Sequence, residues 1–138
     1  ALITDAYSRK IVGYDISDSL ELAGSLRALK MALKQLPKGH NLIHHSDRGI
    51  QYCSNAYTEM LSRFNIKISM TQENHCYENA MAERVNGILK DEFYLDNCFK
   101  NTKVAKKTSK NAIELYNEQR LHLSLDYKTP NQVHQMVA

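Results

Sequence analysis

Apolar residues recur along the 138-residue chain in two periods, and each period predicts a type of element. Alternation over Arg9–Ile16, with Ile11, Val12, Tyr14 and Ile16, predicts a strand. It pairs antiparallel with a short apolar piece at Ala1–Thr4 across a turn at Asp5-Ala6-Tyr7-Ser8. Leu22, Leu26, Leu29, Leu33 and Leu36 recur at steps of three and four, which predicts a helix over 20–36 with Ser19 as its cap. Pro37 and Gly39 stop it. A strand follows over 41–45, ending just before Asp47, and Arg48-Gly49 form the turn that leaves it. Ser54 caps a helix through Phe64 that carries Tyr57, Met60, Leu61 and Phe64 on one face. Ile66, Ile68 and Met70 alternate as an edge strand.

The second half is helical. Thr71–Tyr77 is polar and aperiodic, and is expected to be a mobile loop. Met81, Val85, Ile88, Leu89 and Glu92 mark one stripe of a helix running to Leu95. Glu83 lies off that stripe, on a face with Asn86, Gly87 and Lys90. Asn79 is placed to cap this helix or to contact phosphate. Asn101–Lys107 reads as a linker to a further helix, packed through Ala112, Ile113, Leu115 and Tyr116. Leu121–Lys128 reads as loop, and Thr129-Pro130 as a helix start. The order β-β-α-β-α-β-α-α predicts a mixed sheet flanked by helices.

Composition narrows the class. The chain has the size of one domain, with 43% hydrophobic and 24% charged residues, ordinary for a globular protein. Net charge is +3, and it is uneven. Residues 1–83 hold nine basic and nine acidic side chains, whereas residues 84–128 hold nine and six. The excess follows Glu83; it suits a polyanion, and a solvated basic face explains it equally well. No apolar run approaches the roughly 20 residues of a membrane helix. Cys53, Cys76 and Cys98 form no CxxC pair, and their odd number points to a reducing cytoplasm. Together with His44, His45 and His75 they match no zinc spacing.

Two carboxylates stand out. Asp47 follows a strand in NLIHHSDRGIQYCS, and Glu83 sits on a polar helix face in YENAMAERVNGILKDEF. Thirty-five residues separate them. Such a pair can share a divalent cation, which takes oxygen ligands when it is magnesium.

HHSDRGIQYCS, the gap of 35, NHCYENAMAERVNGILKDEF and YNEQRLHLSLDYKTP together resemble insertion-sequence transposases with a retroviral-integrase-like catalytic core. The resemblance runs from DAYSRKIVGY at 5–14 to KTPNQV at 128–133. It implies an α/β, ribonuclease H-like fold, with 1–100 as the catalytic core and 101–138 as its helical extension. It also implies an enzyme that cuts and joins DNA strands using two Mg²⁺ (or Mn²⁺) ions, and that acts as a homo-oligomer in its active complex. Asp47 and Glu83 take the places of the second and third of three metal-binding carboxylates. The first belongs to a W-x-x-D-x-T segment that this sequence does not contain, since Ala1-Leu2-Ile3 aligns with the second strand. The expectation is therefore a core lacking its first strand, inactive by itself. Asp5 aligns with a turn residue paired to Ser8 or Arg9, and the alternative is a part in the metal site in place of the missing carboxylate. The resemblance makes Lys90 and Arg120 DNA contacts, and Asn86 and His45 are further candidates; for Arg120 the alternative is a salt bridge holding the last helices to the core. The rival functions are a non-catalytic DNA-binding or assembly remnant and a ribonuclease H-type nuclease.

Overall fold

The computed structural model describes residues 1–19, 21–70, 80–95 and 99–137. The expectations for the 71–77 loop and for Asn79 lie outside them. Strand β1 (Leu2–Thr4) pairs antiparallel with β2 (Ile11–Tyr14), and Leu2 stands opposite Tyr14. Strand β3 (Ile43–Ser46) pairs parallel with β4 (Lys67–Met70), in register Ile43 to Lys67 and Ser46 to Met70. Strand directions are mixed, as expected, but among the described residues the strands form two separate two-stranded ladders.

The Asp5–Ser8 turn forms as predicted. The Asp5 carboxylate accepts from the Ser8 N–H (2.8 Å) and the Ser8 hydroxyl (2.6 Å). Ser8 is fully buried, and its Oγ lies 3.1 Å from Nδ1 of His134 on the last helix. Asp5 is thus tied into the turn.

Helix α1 (Leu22–Leu33) is shorter than the leucine periodicity predicts, and Glu21 rather than Ser19 occupies its N-cap. It lies on β2 at close range: a Cβ on Gly13 would sit 2.2 Å from the Ala28 carbonyl oxygen. Strand β2 is also shorter than expected at both ends. A four-residue helix α2 (Ile50–Cys53) follows the Arg48-Gly49 turn, and Gly49 at its N-cap is still extended (φ −55°, ψ 146°). Ser54 caps α3 (Asn55–Arg63) as predicted, its hydroxyl accepting from the Tyr57 N–H.

Helix α4 spans Ala80–Asp91, four residues short of the predicted end. Tyr94 adopts φ +58 and the Leu95 N–H turns back to the Leu89 carbonyl, so the chain breaks away there. The supposed linker 101–107 is helical: α5 covers Thr102–Gln119. Asn101 caps it by accepting from the Val104 N–H. The lysines of this stretch leave no apolar stripe to see, but they are good helix formers. Leu115 is exposed rather than packed, whereas Ala112, Ile113 and Tyr116 are buried. A 3₁₀ turn at Leu123–Leu125 leads to α6 (Pro130–Val137). Thr129 and Gln132 cap α6 reciprocally: each side chain accepts from the other's N–H, at 3.2 and 2.9 Å.

Two apolar clusters hold these elements. Ile11, Val85, Ile88, Leu89, Ile113 and Tyr116 join β2, α4 and α5. Leu29, Leu33, Tyr57, Leu61 and Ile66 join α1 and α3 to the start of β4. Asn117 fastens α5 to β2 by its amide, which accepts from the Ile11 N–H (2.9 Å) and donates to the Ile11 carbonyl (3.0 Å). Both groups are the backbone's own bonding partners, so Asn117 occupies the place of one residue of an adjoining strand.

Candidate active site

Asp47 is the first residue after β3, and it is exposed. Its Oδ1 accepts from the Gly49 N–H (2.8 Å), which fixes the turn into α2 and orients the carboxylate. Glu83 is exposed in the first turn of α4, where the helix dipole favours a carboxylate. Among the described residues neither carboxylate has an ion-pair partner. Asn86 and Lys90 are exposed on the same helix face as Glu83.

The two histidines of β3 separate as strand alternation requires. His44 points into the core, its Nε2 2.9 Å from the Tyr57 hydroxyl and its ring edge-on to Tyr57. Burial lowers its pKa, and burial likewise raises that of Tyr57. His45 is exposed, with Nδ1 3.0 Å from Ser69 Oγ on β4. His44 is thus a core histidine, and His45 lies on the open side of the ladder.

Arg120 points to Glu92, just past the end of α4, and makes two parallel hydrogen bonds to its carboxylate. The pair raises the arginine pKa and lowers that of Glu92. Tyr116, Asn117 and His122 of the same YNEQRLH stretch are buried. The Tyr116 hydroxyl donates to the Arg9 carbonyl (2.8 Å), and burial pushes its pKa up to about 12. His122 packs edge-on against Tyr116, with ring centroids 5.5 Å apart. Its buried Nε2 has no partner among the described residues. This cluster was visible in the sequence only as a motif, and its internal bonding partners lie up to about a hundred residues away.

No group of three His, Cys, Asp or Glu side chains able to hold a metal gathers among the described residues. The two exposed carboxylates, without an ion-pair partner among the described residues, are nonetheless the hard oxygen donors that magnesium or manganese takes.

Short strands in parallel and antiparallel ladders, packed with helices, form a ribonuclease H-like α/β fold, with one acid after a strand and another at a helix start. The catalytic core domain of the HTLV-2 integrase, solved with magnesium in a trimeric form, superposes with a TM-score of 0.70 at 22% identity, over 96% of this chain and 82% of that one. The catalytic core domain of BIV integrase gives 0.67 at 13% identity, over 99% and 92%.

Residues 1–76 match the Integrase core domain family, residues 64–130 match a second family of the same description, and the chain belongs to the integrase core domain family. It is 38% identical to an uncharacterized 31 kDa protein of insertion element IS600 from Shigella sonnei, over 99% of this chain and 52% of that protein. It is 35% identical to the transposase of IS629 from Shigella sonnei, over 94% and 44%. With the transposase InsF of IS3A from Escherichia coli K12 it shares 36% identity over 88% and 43%. The chain spans about half the length of the curated relatives it matches.

Proposed function

We propose that this chain is catalytic-core sequence of a transposase that cleaves and joins DNA strands with the help of divalent metal. The observation that carries the reading is that Asp47 and Glu83 are exposed, without an ion-pair partner among the described residues, at a strand end and a helix start, in a chain of the integrase core family. Asp47 and Glu83 would hold Mg²⁺ or Mn²⁺. Bound there, the cation supplies Lewis-acid activation of the attacking oxygen and charge stabilisation of the leaving one. Gly49 keeps the Asp47 carboxylate oriented through its N–H. Lys90 and Asn86 would bind the DNA backbone beside Glu83, and His45 would contact it from the β3–β4 ladder. Arg120 would have to release Glu92 to reach a phosphate, so its role is to tie α5 to α4.

The partners in this reading are transposon ends and target DNA, with further copies of the chain in the active complex, in the cytoplasm. No described helix is long and apolar enough to cross a membrane. A second reading is a DNA-binding assembly module without turnover. It is favoured because no third metal-binding side chain joins a pair among the described residues.

Manganese binding to residues 1–138, followed by electron paramagnetic resonance, tests the metal site. Asp47→Asn and Glu83→Gln should each weaken it, roughly tenfold or more, because charged ligands set the affinity of such sites. Binding unchanged in both variants would leave the assembly module as the surviving reading. On the catalytic reading, the 138 residues alone nick labelled DNA slowly or not at all, and Glu83→Gln abolishes any nicking they show.

A further inference from the structure

Lys103, Lys106, Lys107 and Lys110 stand on the first three turns of α5, all exposed. Among the described residues none has a salt-bridge partner. Their spacings of three and four make them neighbours on the helix surface, and like charges at those spacings destabilise a helix. Lys103 also stands in the first turn, the wrong end for a cation. The N-terminus of a helix carries the positive pole of its dipole, where cations are unfavourable. The first turn of α5 holds no acidic residue, and its cap is the neutral amide of Asn101. Glu114 and Glu118, exposed further along the same row, sit toward the negative pole. The two end turns thus each carry a charge that opposes the dipole, Lys103 in the first and Glu118 in the last, while Glu114 lies four residues from Lys110 and offsets only that lysine. Asp18 offsets part of the charge by accepting the Thr102 hydroxyl (2.6 Å). By contrast, Lys30 of α1 sits in the last turn, where the dipole favours it.

An arrangement that disfavours its own helix is relieved by a polyanion laid along it. We propose that the N-terminal half of α5 is a docking surface for the sugar-phosphate backbone of duplex DNA, separate from the Glu83 face. This rests on the DNA-handling reading above and adds a second point of attachment to it. From Lys103 to Lys110 the helix rises about 10 Å. That covers about four successive phosphates of one strand, spaced about 3.4 Å along the DNA axis. Lysine, a flexible point charge, suits a contact that carries no base readout.

The test is fluorescence anisotropy of a labelled duplex with residues 1–138 across a salt series. Wild-type affinity should fall steeply with salt. The variant with Lys103, Lys106, Lys107 and Lys110 all changed to Gln should lose about 3–4 from the slope of log K against log salt, at about 0.9 per contact. Its melting temperature should hold or rise, because repulsion is removed; a fall would contradict the argument. The corresponding Lys→Arg variant should bind as wild type. Lys30→Gln with Lys34→Gln and Lys38→Gln is the control, and should leave the slope unchanged. A wild-type slope in the α5 Lys→Gln variant, with loss instead in Lys90→Gln, would overturn the α5 surface while leaving DNA handling intact. Absence of salt-dependent binding by the wild type would overturn both. A dimer that dissolves only in the α5 Lys→Gln variant, with DNA binding untouched, would assign the stripe to a second copy and overturn the proposal.

Discussion

Arg120 meets Glu92 as a two-pronged pair, Nε to Oε2 at 2.7 Å and Nη2 to Oε1 at 2.8 Å. The pair joins the end of α5 to the end of α4, so the tie spans the helix that carries Glu83. Glu92 is about half exposed, its side chain at 46%, so solvent screens the interaction. Arg120→Lys, which loses the planar fork, should destabilise the chain by about 1 kcal/mol or less in urea unfolding. Because the Glu92 pKa is lowered from 4.5, its contribution is complete above that pH and fades only as pH falls through the lowered value. An Arg120→Lys chain of unchanged stability but lower DNA affinity would show that the arginine serves DNA instead.

Asp5 should prove structural. Its carboxylate accepts two hydrogen bonds from the buried Ser8 and lies 3.6 Å from His134 Nδ1. Bonds to a charged acceptor contribute about 1.5–3 kcal/mol each, less where water reaches them. Asp5→Ala should therefore cost about 2 kcal/mol of stability. Manganese affinity should not change, and a loss of metal binding in Asp5→Asn with stability intact would place Asp5 in the metal site.

His122 sets a pH limit on the fold. Burial first, then the positive field of Arg120, Arg9 and Arg84, pushes its pKa down from 6.5 to about 4, with Glu92 opposing. The neutral imidazole is the folded form. Stability from this group is complete above about pH 6.5 and drains away as the pH falls toward 4, because the unfolded chain takes up the proton first. The loss amounts to at most about 3 kcal/mol. His122→Phe keeps a ring against Tyr116 and removes the unpartnered Nε2. It should flatten the stability profile between pH 6.5 and 4 relative to wild type, and an unchanged profile would assign the acid sensitivity to other groups.

Gly87 sits in the middle of α4, on the Glu83 face, and a Cβ there would meet nothing within 4 Å. Packing does not demand glycine, and glycine inside a helix costs about 1 kcal/mol relative to alanine. Gly87→Ala should therefore raise stability by roughly 0.5–1 kcal/mol. If DNA approaches this face closely, the same change lowers DNA affinity. Improved stability with full affinity would show that the DNA does not approach the helix backbone there.

The sequence by itself determined what local interactions determine. The period of Val85, Ile88 and Leu89 marked the buried side of α4, and so put Glu83, Asn86 and Lys90 outside. Ser54 and Thr129 announced helix starts because a cap bonds within its own first turn. Asp5 was legible as a turn residue for the same reason, with Ser8 three positions away. The motif spacing that singled out Asp47 and Glu83 was also present in the chain alone. Tertiary structure decided whatever depended on distant partners. The length of α4 was set by the break at Tyr94, and α5 could extend through its lysines because helix propensity and the Asn101 cap needed no apolar stripe. The difference between His44 and His45 came from which side of β3 met Tyr57. The YNEQRLH stretch left Arg120 open between a DNA contact and a salt bridge, and the packed chain shows the bridge: Asn117 completes the edge of β2 across 106 residues and Arg120 closes on Glu92 across 28. Burial and hydrogen bonding over such separations are properties of the packed chain, and no periodicity or spacing within a segment encodes them.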